Sequence, residues 1–115
     1  MDLESFLPLP QPTLQILIAL SDGDAHGYAI MQDVSARTNG RIRLSPGTLY
    51  GAIKRLLEDG LISEVERRSA LPGEDERRRY YRLTKHGRSV ALAELARMEE
   101  TLKQARGLGL VPKGA

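Results

Sequence analysis

Residues 44–60 read LSPGTLYGAIKRLLEDG, and the residues at both ends of this stretch predict a helix between them. Serine is favoured as an N-cap because its oxygen accepts a hydrogen bond from an exposed amide, and proline suits the first helical position. Ser45 and Pro46 therefore mark the start of the helix. Gly60 tolerates a positive φ and marks the end after Asp59. This helix is the third that the sequence predicts, and the elements around it indicate the fold.

The predicted third helix has two unlike faces at α-helical spacing. The apolar residues share one face: Leu49, Ala52, Ile53, Leu56 and Leu57. The other face carries small and charged residues, with polar residues at its borders: Gly47, Gly51, Lys54, Arg55 and Glu58, then Thr48 and Tyr50. A glycine inside a helix costs up to about 1 kcal/mol relative to alanine. Two glycines on one exposed face require a reason, and close approach to a ligand is one. The alternative is a plain amphipathic helix with an irregular surface.

Helical and strand-like periodicities place further elements on both sides of the third helix. In chain order, the sequence predicts helices from Thr13 to Leu20 and from Ala25 to Arg37, strands over Leu61–Arg67 and Arg78–Thr84, and a final helix from Lys85 to about Arg106. The turn cluster at 21–24 is expected to end the first helix and cap the second, and Asn39-Gly40 to end the second. Residues 41–44 alternate basic and apolar side chains, which fits a short strand or an extended linker.

This order of elements predicts a mainly α fold with a small β-hairpin, a winged helix-turn-helix followed by a long helix. The winged domain spans residues 13–84, and the hairpin has a long charged tip. The N-terminal arm, residues 1–12, holds three prolines and several apolar side chains, so we expect it to pack against the domain. The C-terminal dimerisation helix covers 85–106 and would be about 33 Å long. Residues 107–115 are rich in glycine and predict a flexible tail.

The charge is arranged in blocks, although the net charge is only +2. Residues 37–55 carry five Lys or Arg and no acid, and residues 67–88 carry eight Lys or Arg with three acids. These two blocks cover the third helix and the hairpin. A basic stripe formed by both would neutralise phosphates, which is the usual basis of nucleic-acid affinity. The alternative is that each block is only a solvated face.

In a winged helix-turn-helix the third helix enters the major groove and the hairpin contacts the flanking backbone or the minor groove. The candidate DNA contacts from this pattern are Arg43, Gly47, Gly51, Lys54, Arg55, Arg68, Arg77, Arg78, Arg79 and Tyr80. Lys54 and Arg55 suit either phosphates or guanine edges. Of Tyr80 and Tyr81, one is expected in the core and the other could bond a phosphate. The hairpin arginines could instead pair with the acids of their own hairpin.

Several motifs recur in the order and spacing of a known family: His26-Gly27-Tyr28, the stretch from Leu44 to Tyr50, Asp59-Gly60-Leu61-Ile62, and the stretch from Tyr80 to Thr84 followed by Gly87. Over about residues 13–88 the chain resembles the PadR family of transcriptional regulators. The resemblance implies a homodimeric repressor that releases its operator on a signal, with the last helix mediating dimerisation. It also implies that Ser45, Thr48, Tyr50 and Lys54 contact DNA, together with Tyr28. A small-molecule effector of unknown identity is one candidate signal.

The final helix carries an apolar seam at coiled-coil spacing: Ala91, Leu95, Met98, Leu102 and Ala105, broadened by Leu92. A helix beyond the domain core cannot bury such a seam alone, so the sequence predicts a homodimer. Two third helices would then lie about 34 Å apart on a roughly palindromic operator. The alternative is that the helix folds back on its own domain.

Other classes of function find little support in these 115 residues, which suffice for one domain. The chain has no cysteine, two histidines, no phosphate-binding loop and no nucleophile elbow, so we expect no enzyme activity, no metal site and no cofactor. Its apolar runs are too short to span a membrane, and its acidic start is unlike a signal peptide, so we expect a cytoplasmic protein with double-stranded DNA as its partner. The alternative function is a dimeric winged-helix scaffold that binds a protein.

Overall fold

The computed structural model describes residues 3–66 and 79–111. A short 3₁₀ turn at Leu3–Phe6 is followed by α1 (Gln11–Leu20), β1 (Ala25–His26), α2 (Gly27–Arg37), α3 (Pro46–Glu58), β2 (Ile62–Val65), β3 (Tyr80–Leu83) and α4 (Lys85–Gly107). The predicted fold class is confirmed: the chain is mainly helical, with a small antiparallel sheet and a long last helix. Residues 41–44 are an extended linker rather than a strand.

The local signals at the ends of α3 and α4 act as the sequence predicts. The Ser45 hydroxyl accepts a hydrogen bond from the Thr48 amide at 3.2 Å, so it caps α3. The Thr84 hydroxyl accepts one from the Gly87 amide at 2.9 Å, so it caps α4. Gly60 follows α3 with φ of +73°. These caps use groups within three residues, and a sequence pattern is therefore enough to locate them.

The predicted start of the second helix is wrong by two residues. Ala25 and His26 form a short strand, β1, and α2 begins at Gly27. The cap is not in the 21–24 cluster: the Nδ1 atom of His26 accepts the Ala29 amide at 3.1 Å. The cause is tertiary, because β1 pairs with β3, which holds residues 25 and 26 extended.

The start of α1 also differs from the prediction. The helix begins at Gln11, two residues before Thr13, and includes Pro12 in its first turn. A proline is tolerated there because its missing amide would have had no helical partner. The remaining arm packs as expected: Leu3, Phe6, Leu7 and Leu9 are partly buried against the core.

The three strands form one antiparallel sheet in the order β1-β3-β2. In the hairpin, Ile62 lies opposite Leu83 and Val65 opposite Tyr80. On its other side β3 pairs with β1, which joins the hairpin to the start of α2. The hairpin tip, residues 67–78, lies outside the described residues. The hairpin, which is the wing of the fold, is therefore held at its base by strands on both sides of β3.

The core forms around α1, which contacts α2, α3, α4 and β3. It contains apolar side chains from every helix and from the sheet: Leu14, Ile16, Leu17, Leu20, Ile30, Val34, Leu49, Ile53, Leu56, Leu61, Ile62, Tyr81 and Val90, among others. The first turn of α4 lies tightly against the chain that leaves α3. A Cβ built on Gly87 would be 1.9 Å from the Leu61 carbonyl oxygen, so only glycine fits there.

Only the first part of α4 is buried in the domain. Its buried residues are Gly87, Val90, Ala91 and Glu94, and the remaining three turns and more project from the domain. Ala91, which the spacing assigns to the dimer seam, thus lies in the core of its own chain. In the segment predicted as a flexible tail, the amides of residues 108–110 donate hydrogen bonds to carbonyls of the last helical turn. Residues 112–115 lie outside the described residues. None of the described helices combines the length and apolar character needed to cross a bilayer.

Candidate nucleic-acid interface

The two faces predicted for α3 are present in the structure. Leu49, Ile53 and Leu56 are buried against the rest of the domain, and this burial sets the rotation of the helix about its axis. The predicted contact residues on the other side are all exposed: Ser45, Gly47, Thr48, Tyr50, Gly51, Lys54 and Arg55. One continuous polar face of α3 is thereby open to a partner.

Neither glycine on this face is required by the fold of the chain. A Cβ built on Gly47 or on Gly51 would meet no atom within 4 Å, and neither residue has a positive φ. Alanine would fit both positions and would favour the helix. The reason for two glycines therefore lies outside the described chain, and close approach by a ligand is such a reason.

Tyr50 connects α3 to the start of α2. A Cβ built on Gly27 would lie 2.6 Å from the Tyr50 hydroxyl oxygen, so the phenol occupies the space that glycine leaves free. The residue after Gly27 is Tyr28, and both tyrosines are largely exposed, Tyr28 to 57% and Tyr50 to 52%. The fold thus brings Tyr50 against the start of α2, one residue before Tyr28, which is 22 positions from Tyr50 in the chain.

The start of α2 also contacts the wing. The rings of His26 and Tyr80 meet edge to face, with centroids 5.3 Å apart and an interplanar angle of 81°. His26 is in β1, and Tyr80 is its partner in β3. Contacts therefore run from Tyr50 in α3, through Gly27 and His26, to Tyr80 at the base of the wing. This places α3, the start of α2 and the wing base on one connected surface.

The choice between Tyr80 and Tyr81 is now resolved. Tyr81 is a core residue, and its burial raises the pKa of its phenol, followed by a smaller effect of Glu64 in the same direction. Tyr80 is only half-buried and is the first residue of β3, the central strand of the sheet. Tyr80 is therefore the tyrosine of this strand that remains a candidate for a DNA contact.

Several cations near this surface are paired with acids. Arg82 donates two hydrogen bonds to the Asp24 carboxylate, at 3.1 and 2.8 Å, and this pairing raises the pKa of Arg82. Arg79 lies 3.6 Å from Glu64 across the hairpin. Pairing of a hairpin arginine with an acid of its own hairpin was the alternative expectation, and Arg79 fits it. These pairs lower the positive charge at the wing base.

The cations of α3 differ from those of the wing. Among residues 3–66 and 79–111, no hydrogen bond or ion pair joins the side chain of Lys54 or Arg55 to another group. Arg43 is exposed and its guanidinium lies beside Gly40, whose built Cβ would be 3.3 Å from it. Arg68, Arg77 and Arg78 lie outside the described residues. Among the described candidate contact residues, the cations without an acidic partner are thus Arg43, Lys54 and Arg55.

Two residues of this surface were not anticipated as contacts within it. Gly27 makes room for Tyr50, and Asp24 pairs with Arg82, 58 positions later in the chain. Both contacts depend on the pairing of β1 with β3, and a two-residue strand has no periodicity by which to recognise it. The small residue before Tyr28 is the one available signal, since a glycine at the start of a helix suggests a close neighbour.

Comparisons with known proteins agree with this arrangement. Residues 16–93 match the Transcriptional regulator PadR-like family. A transcriptional regulator from Mycobacterium tuberculosis is 34% identical over 94 residues, which cover 82% of this chain and 81% of the relative. A transcriptional regulator from Clostridium thermocellum has a similar solved structure, with a TM-score of 0.70, 30% identity, and coverage of 84% and 87%. A PadR family transcription regulator from Clostridium difficile has a TM-score of 0.71, 25% identity, and coverage of 86% and 98%.

Proposed function

Because the chain belongs to the PadR-like family of transcriptional regulators, we propose that it is a homodimeric repressor that binds a roughly palindromic operator and releases it on a signal. Membership of this family also makes it a regulator rather than an enzyme. The observation that carries the proposal is the exposed face of α3. It has two glycines that the described fold does not need and two cations that have no acidic partner among residues 3–66 and 79–111.

The geometry suits insertion of α3 into a major groove. Gly47 and Gly51 let the helix backbone approach the base edges, and Lys54 and Arg55 reach phosphates or guanine on the same side. The N-terminus of α3 is the positive end of the helix dipole, where a phosphate would be stabilised. Tyr28 and Tyr80 lie on the same connected surface and would bond the backbone on either side.

The projecting part of α4 supports the homodimer. Beyond Glu94 the helix has no buried residue, yet Leu95 and Met98 are apolar and exposed to 40% and 48%. A second copy of the chain would cover these side chains and hold two α3 helices at the spacing of successive major grooves, about 34 Å. The operator would then contain two inverted half-sites.

A fluorescence-anisotropy titration with DNA from the protein's own promoter region tests the proposal. We expect specific binding that weakens as salt rises, because phosphate neutralisation releases counterions. Lys54→Ala should weaken binding and lower the salt slope by about one, as should Arg55→Ala. Lys103→Ala, an exposed lysine on α4, is the matched control and should bind as the wild type does. Unchanged affinity and slope in both α3 variants would overturn the role of α3.

The alternative function is a winged-helix scaffold for a protein partner. Two features of the sequence supported it, and the structure removes one of them. The apolar arm that could have bound a partner packs on the core of its own chain. The other feature, the acidic hairpin tip, lies outside the described residues. Salt-independent capture of a stoichiometric protein, with no DNA binding, would favour the scaffold over the repressor.

A further inference from the structure

A cavity of about 450 Å³ lies between the N-terminal arm, α1 and the second half of α3. Phe6 and Leu9 from the arm and Ala52 and Leu56 from α3 supply apolar walls, and polar groups form about half of the lining. A cavity of this size is within the range of small-molecule sites. The cavity is separate from the seam of α4, since no residue of α4 lines it.

The arm that forms one wall is anchored rather than laid loosely on the domain. The Leu9 amide donates a hydrogen bond to one carboxylate oxygen of Glu94, and the Arg97 guanidinium donates to the other. Glu94 is only 1% exposed, and a buried carboxylate is tolerated only when its oxygens are bonded in this way. Phe6 also meets His86 of α4 edge to face, at 5.4 Å between centroids. The wall is therefore held at two points.

The polar edge of the cavity is formed by Arg55 and Asp59, one helical turn apart in α3. Within the described residues, no hydrogen bond or ion pair engages either side chain. A carboxylate bound here would face Asp59, and an ammonium group would face Arg55. A neutral amide suits both, because its oxygen accepts from the guanidinium and its N–H donates to the carboxylate.

We propose that this cavity binds a small, uncharged molecule with an apolar body and an amide group at one end. The effect of this ligand on DNA binding rests on the proposed function, since Arg55 is also a candidate DNA contact. A ligand that holds the Arg55 guanidinium at the cavity edge withdraws it from phosphate or guanine. Ligand and DNA then bind with negative coupling through a shared residue.

A titration with three probes of equal apolar body tests the ligand class in the full chain. Naphthylacetamide, naphthylacetate and naphthylethylamine differ at their polar end, and backbone amide NMR shifts report where each binds. We expect naphthylacetamide to shift Phe6, Leu9, Ala52 and Leu56, with an affinity at least about tenfold above that of the two charged probes. Equal affinity for all three, or shifts confined to α4, overturns the proposal.

Two variants locate the site. Ala52→Phe fills the cavity and should abolish the naphthylacetamide shifts, while Ala36→Phe, at an exposed position of α2, is the matched control and should leave them unchanged. Arg55→Met keeps an unbranched side chain and removes the guanidinium donor, so the preference for the amide should disappear. Binding that survives Ala52→Phe with a native NMR spectrum overturns the site.

The coupling is measured separately by DNA titration. Naphthylacetamide should weaken DNA binding of the wild type and not that of Ala52→Phe. If the protein binds no DNA, the proposed function fails while the NMR titration still decides on the cavity. If DNA binds and naphthylacetamide does not, the cavity proposal fails and the repressor stands.

Discussion

The hydroxyl of Tyr50, on the exposed side of α3, lies against Gly27, the first residue of α2. A Cβ at position 27 would be 2.6 Å from this hydroxyl oxygen and 3.0 Å from the ring carbon that bears it. The contact joins the helix that we assign to the major groove to the helix behind it. It also fixes the direction of a tyrosine that is otherwise half in solvent.

Gly27→Ala should therefore displace the Tyr50 phenol. The displaced atoms are the end of an exposed side chain, so we expect the free energy of unfolding to change by no more than about 0.5 kcal/mol. DNA affinity should fall by about fivefold, the equivalent of one hydrogen bond. Tyr50→Ala is the reference: in that background Gly27→Ala should have no further effect on DNA affinity. Additive losses in the double variant would show that the two residues act independently.

Gly51→Ala should make the protein more stable and a poorer DNA binder. A Cβ at this position meets nothing within 4 Å, and alanine favours the helix by up to about 1 kcal/mol, so the thermal midpoint should rise. The added methyl group should hold the helix away from the base edges and weaken DNA binding. Gly107→Ala in α4 also has open space and is the control for stability without loss of binding. Unchanged DNA affinity in Gly51→Ala would show that the backbone of α3 does not approach the base edges closely at this position.

The docking of the arm should weaken at acid pH, because it depends on the negative charge of Glu94. Burial raises the pKa of this carboxyl, but the hydrogen bonds from Arg97 and the Leu9 amide lower it by more, so the pKa lies below its ordinary value. A group with a lowered pKa in the folded chain contributes stability that is full above its unfolded pKa, about 4.3 for glutamate, and is lost as pH falls through the folded pKa.

Urea unfolding at several pH values measures this contribution. Glu94→Gln should lower the free energy of unfolding at neutral pH by about 1–2 kcal/mol, through loss of charge-assisted hydrogen bonds, and should flatten the loss below about pH 4. Glu99→Gln changes an exposed carboxyl of the same helix and should follow the wild type. A Glu94→Gln profile parallel to the wild type at every pH would contradict the assignment.

Met98→Lys should dissociate the dimer that we propose. Met98 is exposed in the single chain, and burial of a lysine against a second copy would leave a charge without a partner. Sedimentation equilibrium should report a monomer, and operator affinity should fall because the two half-sites are no longer bound together. Glu100→Lys lies on the other side of the helix and should keep the dimer. A dimer that persists in Met98→Lys would place the interface elsewhere.

The elements that were predicted well are those whose signals are local. The ends of α3 and α4 follow from a serine, a threonine and a glycine within one turn of the helix terminus. The two faces of α3 follow from its own periodicity. The misplaced start of α2 has a distant cause, because His26 pairs with Tyr80 and is held extended. Burial of Ala91 by the domain's own core also depends on distant residues, which the heptad spacing does not register.

The sequence by itself determined that this chain has a helix with one apolar and one small, basic face, and that a hairpin and a long helix follow it, because these properties depend on neighbours within a few residues. Only the tertiary structure decided that Tyr50 meets Gly27, that Tyr81 rather than Tyr80 enters the core, and that Glu94 holds the arm at Leu9, 85 positions away. Such contacts arise from packing of the whole domain, where distance along the chain no longer limits which groups meet.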